Sequence, residues 1–124
     1  MTELEIGGVI CAIDFRRTDE DRGPSIRVFG DCDGQRVQLL RFDCFENDPH
    51  YHYAPTGTNQ VFQLDPLTMG SPLGFSLCQL ALHTQAMVAK AGYAEFSEGI
   101  DQEVLAARID EIREAVAAEE AAAE

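Results

Sequence analysis

Apolar and polar residues alternate through the first half of the chain, then recur at three- and four-residue spacing through the second. The change of period from two to about 3.6 predicts strands first and helices after. Glu3 to Phe15 is rich in Ile and Val, with Gly7-Gly8 inside it marking a bulge or a close backbone approach. Asp19 to Pro24 is charged, ends in Gly-Pro and reads as a loop. Ser25 to Phe29 is a short strand, and Gly30 to Gly34 connects it to the longest one, Gln35 to Phe45. Glu46-Asn47-Asp48-Pro49 is the turn before His50 to Tyr53. Pro55, Gly57 and Asn59 then break the pattern ahead of Val61 to Leu64. Connections this short favour antiparallel neighbours.

Ser71 followed by Pro72 has the form of an N-cap with proline at the first helical position. Leu73, Leu77, Leu80, Ala81, Met87, Val88 and Ala91 follow at helical spacing, Gly92 is a natural stop, and Gly74 is the one poor helix former among them. A second helix opens at Asp101, with Ile100 and Leu105 placed as a hydrophobic staple and a narrow stripe of Leu105, Ile109, Ile112 and Val116. From Ala117 onward only Ala and Glu remain, the composition of a solvated helix extension or a frayed tail.

The expected fold is α+β: an antiparallel meander of four to five strands with two C-terminal helices packed on one face. The helices would bury Leu77, Leu80, Met87, Leu105, Ile109 and Ile112 against Phe42, Cys44, Tyr51 and Tyr53. Residues 1–118 form a single domain, in keeping with the ~100–150 residues usual for one, and residues 119–124 an acidic Ala/Glu tail.

Charge narrows the choice of partners. Nine Lys and Arg against 22 Asp and Glu leave a net charge of -13. That balance opposes nucleic acid and anionic membrane surfaces, both of which require clustered cations. Arg16, Arg17, Arg22 and Arg27 form either a local basic spot or solvated strand ends. No apolar N-terminal run follows a basic region and no stretch approaches the ~20 apolar residues of a membrane span, so a cytoplasmic location is expected. Cys11, Cys32, Cys44 and Cys78 lack Cys-x-x-Cys or metal-finger spacing and read as free, mostly apolar thiols.

Candidate chemistry is concentrated in Arg41 to Tyr53, which holds two of the three histidines. With Glu46 to Pro49 as the hairpin loop, Asp43 would oppose His52 and Phe45 would oppose His50. Alternation then puts Arg41, Asp43, His50 and His52 on one sheet face, and Phe42, Cys44, Tyr51 and Tyr53 on the other. Three chemistries suit the polar face. A divalent metal could be held by the two imidazoles of His50 and His52 and a carboxylate, with Asp43, Asp48 or Glu46 completing the set. An Asp–His pair could act as a general base. Arg41 and the histidines could bind a small anion. A purely structural alternative pairs Arg41 with Asp43 and leaves the histidines to cap the sheet edge. His83 lies off its helix's apolar stripe and reads as a surface residue. There is no phosphate loop, dinucleotide fingerprint or nucleophile elbow, and Asp31-Cys32-Asp33-Gly34 lacks the closing ligands of a calcium loop.

The Arg41-Phe42-Asp43-Cys44-Phe45 strand, the Pro49-His50-Tyr51-His52-Tyr53 segment, the Gly23 to Gly30 stretch before them and Ala91-Gly92-Tyr93 together resemble a family of small bacterial proteins classed as a domain of unknown function. The resemblance spans nearly the whole chain and implies a compact α+β fold, with no activity or cofactor attached. Two functions are therefore expected as alternatives. One is a non-enzymatic binding or adaptor protein forming a homodimer through its second helix and a sheet edge. The other is a metal-dependent or acid–base enzyme acting on a small molecule through Asp43, His50 and His52.

Overall fold

The computed structural model describes residues 1–124. Six strands come first: β1 (Thr2–Ile6), β2 (Val9–Arg17), β3 (Arg22–Cys32), β4 (Gln35–Asp43), β5 (His50–Tyr53) and β6 (Gln60–Gln63). Five helices follow: α1 (Pro66–Met69), α2 (Pro72–Lys90), α3 (Ala94–Ser97), α4 (Gln102–Ala107) and α5 (Ile109–Ala122). The strands form one antiparallel sheet in the order β1-β2-β3-β4-β5-β6. No helix is long and apolar enough to cross a membrane.

The expected meander is present, with six strands rather than four to five. The difference lies at Gly7-Gly8, where both residues have positive φ (60° and 90°) and make a two-residue hairpin turn rather than a bulge. The close backbone approach is there: a Cβ on Gly7 would stand 2.7 Å from the Asp101 carbonyl oxygen, and one on Gly8 2.9 Å from that of Gly99. Backbone freedom at two successive glycines allows a reversal that other residues would resist. The two helices expected after the sheet are also present but more divided. Ser71 accepts from the Gly74 N–H and starts α2, and Asp101 accepts from the Val104 N–H and starts α4, both as expected. The last helix breaks at Arg108 (φ -109°, ψ 14°), so its stripe is shared between α4 and α5, while α1 and α3 are single turns in the connections.

The inner face of the sheet joins the helices in one core. Cys11, Ile13, Ile26, Val28, Leu40, Phe42 and Tyr53 pack with Leu77, Leu80, Val88, Leu105, Ile112 and Val116, as a strands-then-helices chain requires. The Ala/Glu end continues α5 to Ala122. One side chain ties α4 to α2. The Gln102 amide oxygen accepts from the Gln85 N–H (2.8 Å), and its nitrogen donates to the carbonyls of Ala81 (2.7 Å) and Leu80 (3.0 Å). Gln85 returns the link by donating to Ser97 and Ile100 carbonyls.

The outer face carries two adjacent polar rungs. One runs Glu3, Ala12, Arg27, Arg41, His52, Val61 across the strands, and the next runs Asp14, Ser25, Asp43, His50, Gln63. Both candidate histidines and their carboxylate sit on these rungs.

Candidate metal centre on the outer sheet face

Arg41, Asp43, His50 and His52 share one face, as alternation predicts, but the register differs by two residues. Asp43 opposes His50, Arg41 opposes His52 and Phe42 opposes Tyr51. A slip of two leaves every side chain on its predicted face, whereas a slip of one would have reversed them all. The hairpin loop is accordingly Cys44–Pro49, two residues longer than the Glu46–Pro49 turn. β3 is the cause. After β4 ends, the Cys44 N–H still donates to the Pro24 carbonyl (2.8 Å) and the Glu46 N–H to Arg22 (3.0 Å). Gly23 makes this approach feasible, since a Cβ there would stand 2.2 Å from the Cys44 carbonyl oxygen.

Asp43 is the hub, with a side chain only 2% exposed. Its Oδ1 accepts from Arg41 Nε (3.0 Å) and from the buried Ser25 Oγ (2.9 Å). Its Oδ2 faces His50 Nε2 at 3.0 Å and His52 Nε2 at 3.4 Å. Both imidazoles are oriented from behind. His50 Nδ1 lies 2.7 Å from the Asp48 carbonyl, and His52 Nδ1 lies 2.8 Å from Asn59 Oδ1. A carbonyl only accepts, so His50 Nδ1 is the donor in the first pair. A ring nitrogen tied to an outer oxygen while its partner nitrogen points inward is the arrangement metal-ligating histidines adopt.

The loops that supply those oxygens are themselves fixed. The Asp21 carboxylate accepts from the N–H groups of Asn47 (2.9 Å) and Asp48 (2.8 Å), and Asn47 donates to the Glu20 carbonyl (2.8 Å). Partial burial would raise the Asp21 carboxyl, but backbone donors from Asn47, Arg22, Asp48 and Glu46 outweigh it and hold the group below its ordinary value. Asn59 adopts φ 50°, a left-handed conformation Asn tolerates better than most residues, and so aims its amide at His52. Ser25, Asp21 and Asn59 are the residues of the candidate site that sequence reasoning missed. Only Asn59 offered a local signal, as an Asn in a turn.

Three ligand atoms, one from each of Asp43, His50 and His52, lie within 4.8 Å of one another. The 3.0 and 3.4 Å separations approach the roughly 3.3 Å edge of a tetrahedron built with ~2.0–2.1 Å metal bonds. Glu46 and Asp48 are exposed, and Asp48 Oδ2 approaches only the outer Nδ1 of His50, at 3.8 Å, so neither joins this inner set. The remaining candidates lie elsewhere. His83 is exposed and bonded to Gln79 Oε1. Cys44 contacts Ser76 Oγ (3.3 Å) on the helix side, where burial pushes its thiol up to about 11, so it forms no nucleophile pair with the histidines. All four cysteines are free, and burial pushes Cys11 up to about 12. Asp33 and Gly34 form the tight turn between β3 and β4.

Residues 3–116 match the family model described as domain of unknown function DUF7700. No curated protein and no solved structure matches the chain.

Proposed function

The chain belongs to the DUF7700 family, a domain of unknown function, and we propose that its Asp43–His50–His52 cluster binds a divalent transition-metal ion and presents it to a small molecule. The carrying observation is the convergence of two back-bonded imidazole nitrogens on one buried carboxylate oxygen. If His50 and His52 each donate through Nδ1, three lone-pair donors face one another. That arrangement requires protons or a cation between them. Two imidazoles and a carboxylate suit zinc, cobalt or ferrous iron. They suit calcium and magnesium poorly, since those ions prefer all-oxygen shells.

Three protein ligands leave at least one coordination position for water or substrate, which distinguishes a reactive site from a closed structural one. A bound ion would polarise a carbonyl or phosphoryl oxygen or lower the pKa of its water. Asp43 would act as ligand, with Arg41 and Ser25 holding its other oxygen. Cobalt titration of chelator-treated protein tests the reading. The expected result is a visible d–d spectrum of a low-symmetry nitrogen/oxygen site at one equivalent, lost in His50→Ala and His52→Ala. A wild-type spectrum equal to that of the double variant would end it.

A second reading, self-association in a binding or adaptor role, is favoured by the far edge of the sheet. β6 is exposed along its length, Val61 and Phe62 expose apolar surface there, and Leu67 and Met69 do so on the following turn α1. Light scattering of the wild type and of Phe62→Lys should then show a dimer that the substitution dissociates.

A further inference from the structure

We propose that the outer sheet face carries a second binding site, an arginine cleft that takes a phosphate group. The cleft has a volume of about 270 Å³ and is lined by Asp14, Arg16, Arg27 and Arg41 alone. Three adjacent strands build it. Arg27 on β3 lies directly opposite Arg41 on β4, while Arg16 and Asp14 come from the end of β2. Like charges placed opposite each other across a ladder are destabilising. Here they occur in a chain with 22 carboxylates for nine basic residues, where acidic neighbours are plentiful. Arg22, Arg36, Arg108 and Arg113 each have a carboxylate within ion-pairing distance, and Arg16 and Arg27 have none.

Arg27 is held in place without being neutralised, and Arg41 is fixed by its bond to Asp43. Arg27 lies over the Phe29 ring (5.6 Å) and reaches Met1 Sδ through Nη2 (3.3 Å). Arg41 spends only its Nε on Asp43, so its two terminal nitrogens remain available to the cleft. Guanidinium groups present paired N–H donors that match oxyanion geometry. Three guanidiniums against the carboxylates of Asp14 and of Asp43, which pairs with Arg41, leave a net charge of +1 at the cleft. A phosphate monoester carries about −1.5 to −2 at pH 7 and spreads it over three oxygens, which suits donors arriving from three strands better than a planar carboxylate does. The volume is below the ~300–1,000 Å³ of clefts for larger ligands, so the phosphate group fills it and the rest of the molecule extends outward. This site shares no ligand atom with the proposed metal centre and stands or falls without it, though Arg41 separates the two by a single strand position.

Inorganic phosphate is the probe. In chelator-treated protein, phosphate should raise the melting temperature of the wild type saturably at millimolar concentration and at constant ionic strength, with acetate far weaker. Arg16→Gln and Arg27→Gln should each weaken binding about tenfold or more, the effect of losing one charged hydrogen bond. His52→Gln should bind phosphate like the wild type. Without phosphate, Arg27→Gln should melt no lower than the wild type, because the opposition to Arg41 is relieved. Arg16 is exposed, so Arg16→Gln carries the test if Arg27→Gln fails to fold. Undiminished phosphate binding in both arginine variants, acetate as effective as phosphate, or equal loss in His52→Gln would each overturn the proposal.

Discussion

Replacing Asp43 by Asn separates a metal-ready centre from a structural ion cluster. The wild-type carboxylate receives Arg41 and Ser25 on one oxygen and faces two imidazole nitrogens with the other. Asparagine keeps the shape, so its oxygen still accepts from Arg41 and Ser25. Its NH2 group places two donors where His50 Nε2 and His52 Nε2 present lone pairs. Every group is then satisfied, and the principal loss is the charge in the Arg41 bond. Arg41 is 22% exposed, so water makes up part of that loss. The expected cost of Asp43→Asn in chelator is therefore at most about 1 kcal/mol. Asp43→Ala instead strands the guanidinium and the buried Ser25 hydroxyl, for about 3 kcal/mol, or roughly 10 °C in a domain of this size. Urea titrations give both values. With zinc at about 100 times its dissociation constant, the wild type should gain about 2.7 kcal/mol and neither variant anything. If Asp43→Asn were as damaging as Asp43→Ala, the inner nitrogens would carry protons that an amide cannot accommodate. If Asp43→Asn still gained stability from zinc, Asp43 would not be a ligand. Either result refutes the argument.

Other outcomes follow from the supports. Because its folded-state carboxyl titrates below the ordinary value, Asp21 contributes stability above about pH 4 that disappears as pH falls through that lower value; acid denaturation of Asp21→Asn should lack this part of the transition. Gly23→Ala should destabilise by about 3 kcal/mol or prevent folding, since its Cβ would meet the Cys44 carbonyl oxygen, a backbone atom with little freedom to move; thermal melting measures it. In native protein at pH 8 a thiol reagent should label exposed Cys78 readily and leave Cys11 and Cys44 untouched until denaturant is added.

Much of the outer face was legible because side-chain alternation survives an error of two in register. Arg41, Asp43, His50 and His52 were assigned to one face although the predicted partner of Asp43 was His52 rather than His50. The loop length was illegible because it depends on Pro24 and Arg22, some 20 positions back, which hold Cys44 and Glu46 after β4 ends. The same distance hid Asp21 and Ser25. Their role is to brace residues remote in sequence, and neither belongs to a motif. Gly7-Gly8 reads from sequence as a bulge or a close backbone approach; the approach to Asp101 and Gly99 is real, but the hairpin is hidden because an apolar pattern on both sides of it reads like one long strand. Of the four arginines first grouped as a basic spot, Arg16 and Arg27 share a cleft with Arg41, while Arg22 bonds outward to acidic residues.

The Gln102 side chain stands inside the hydrogen-bond ladder of a helix to which it does not belong. The Gln85 N–H and the Ala81 carbonyl, a partner pair of a regular helix, both bond to the Gln102 amide. The middle of α2 is thus braced by the docking of α4. Amide hydrogen exchange at Gln85 should then report the opening of α4, in step with Val104 and Leu105, rather than fraying from the ends of α2. In kinetic terms, α2 and α4 should behave as one cooperative unit, with Gln102→Ala uncoupling their exchange while leaving both helices in place.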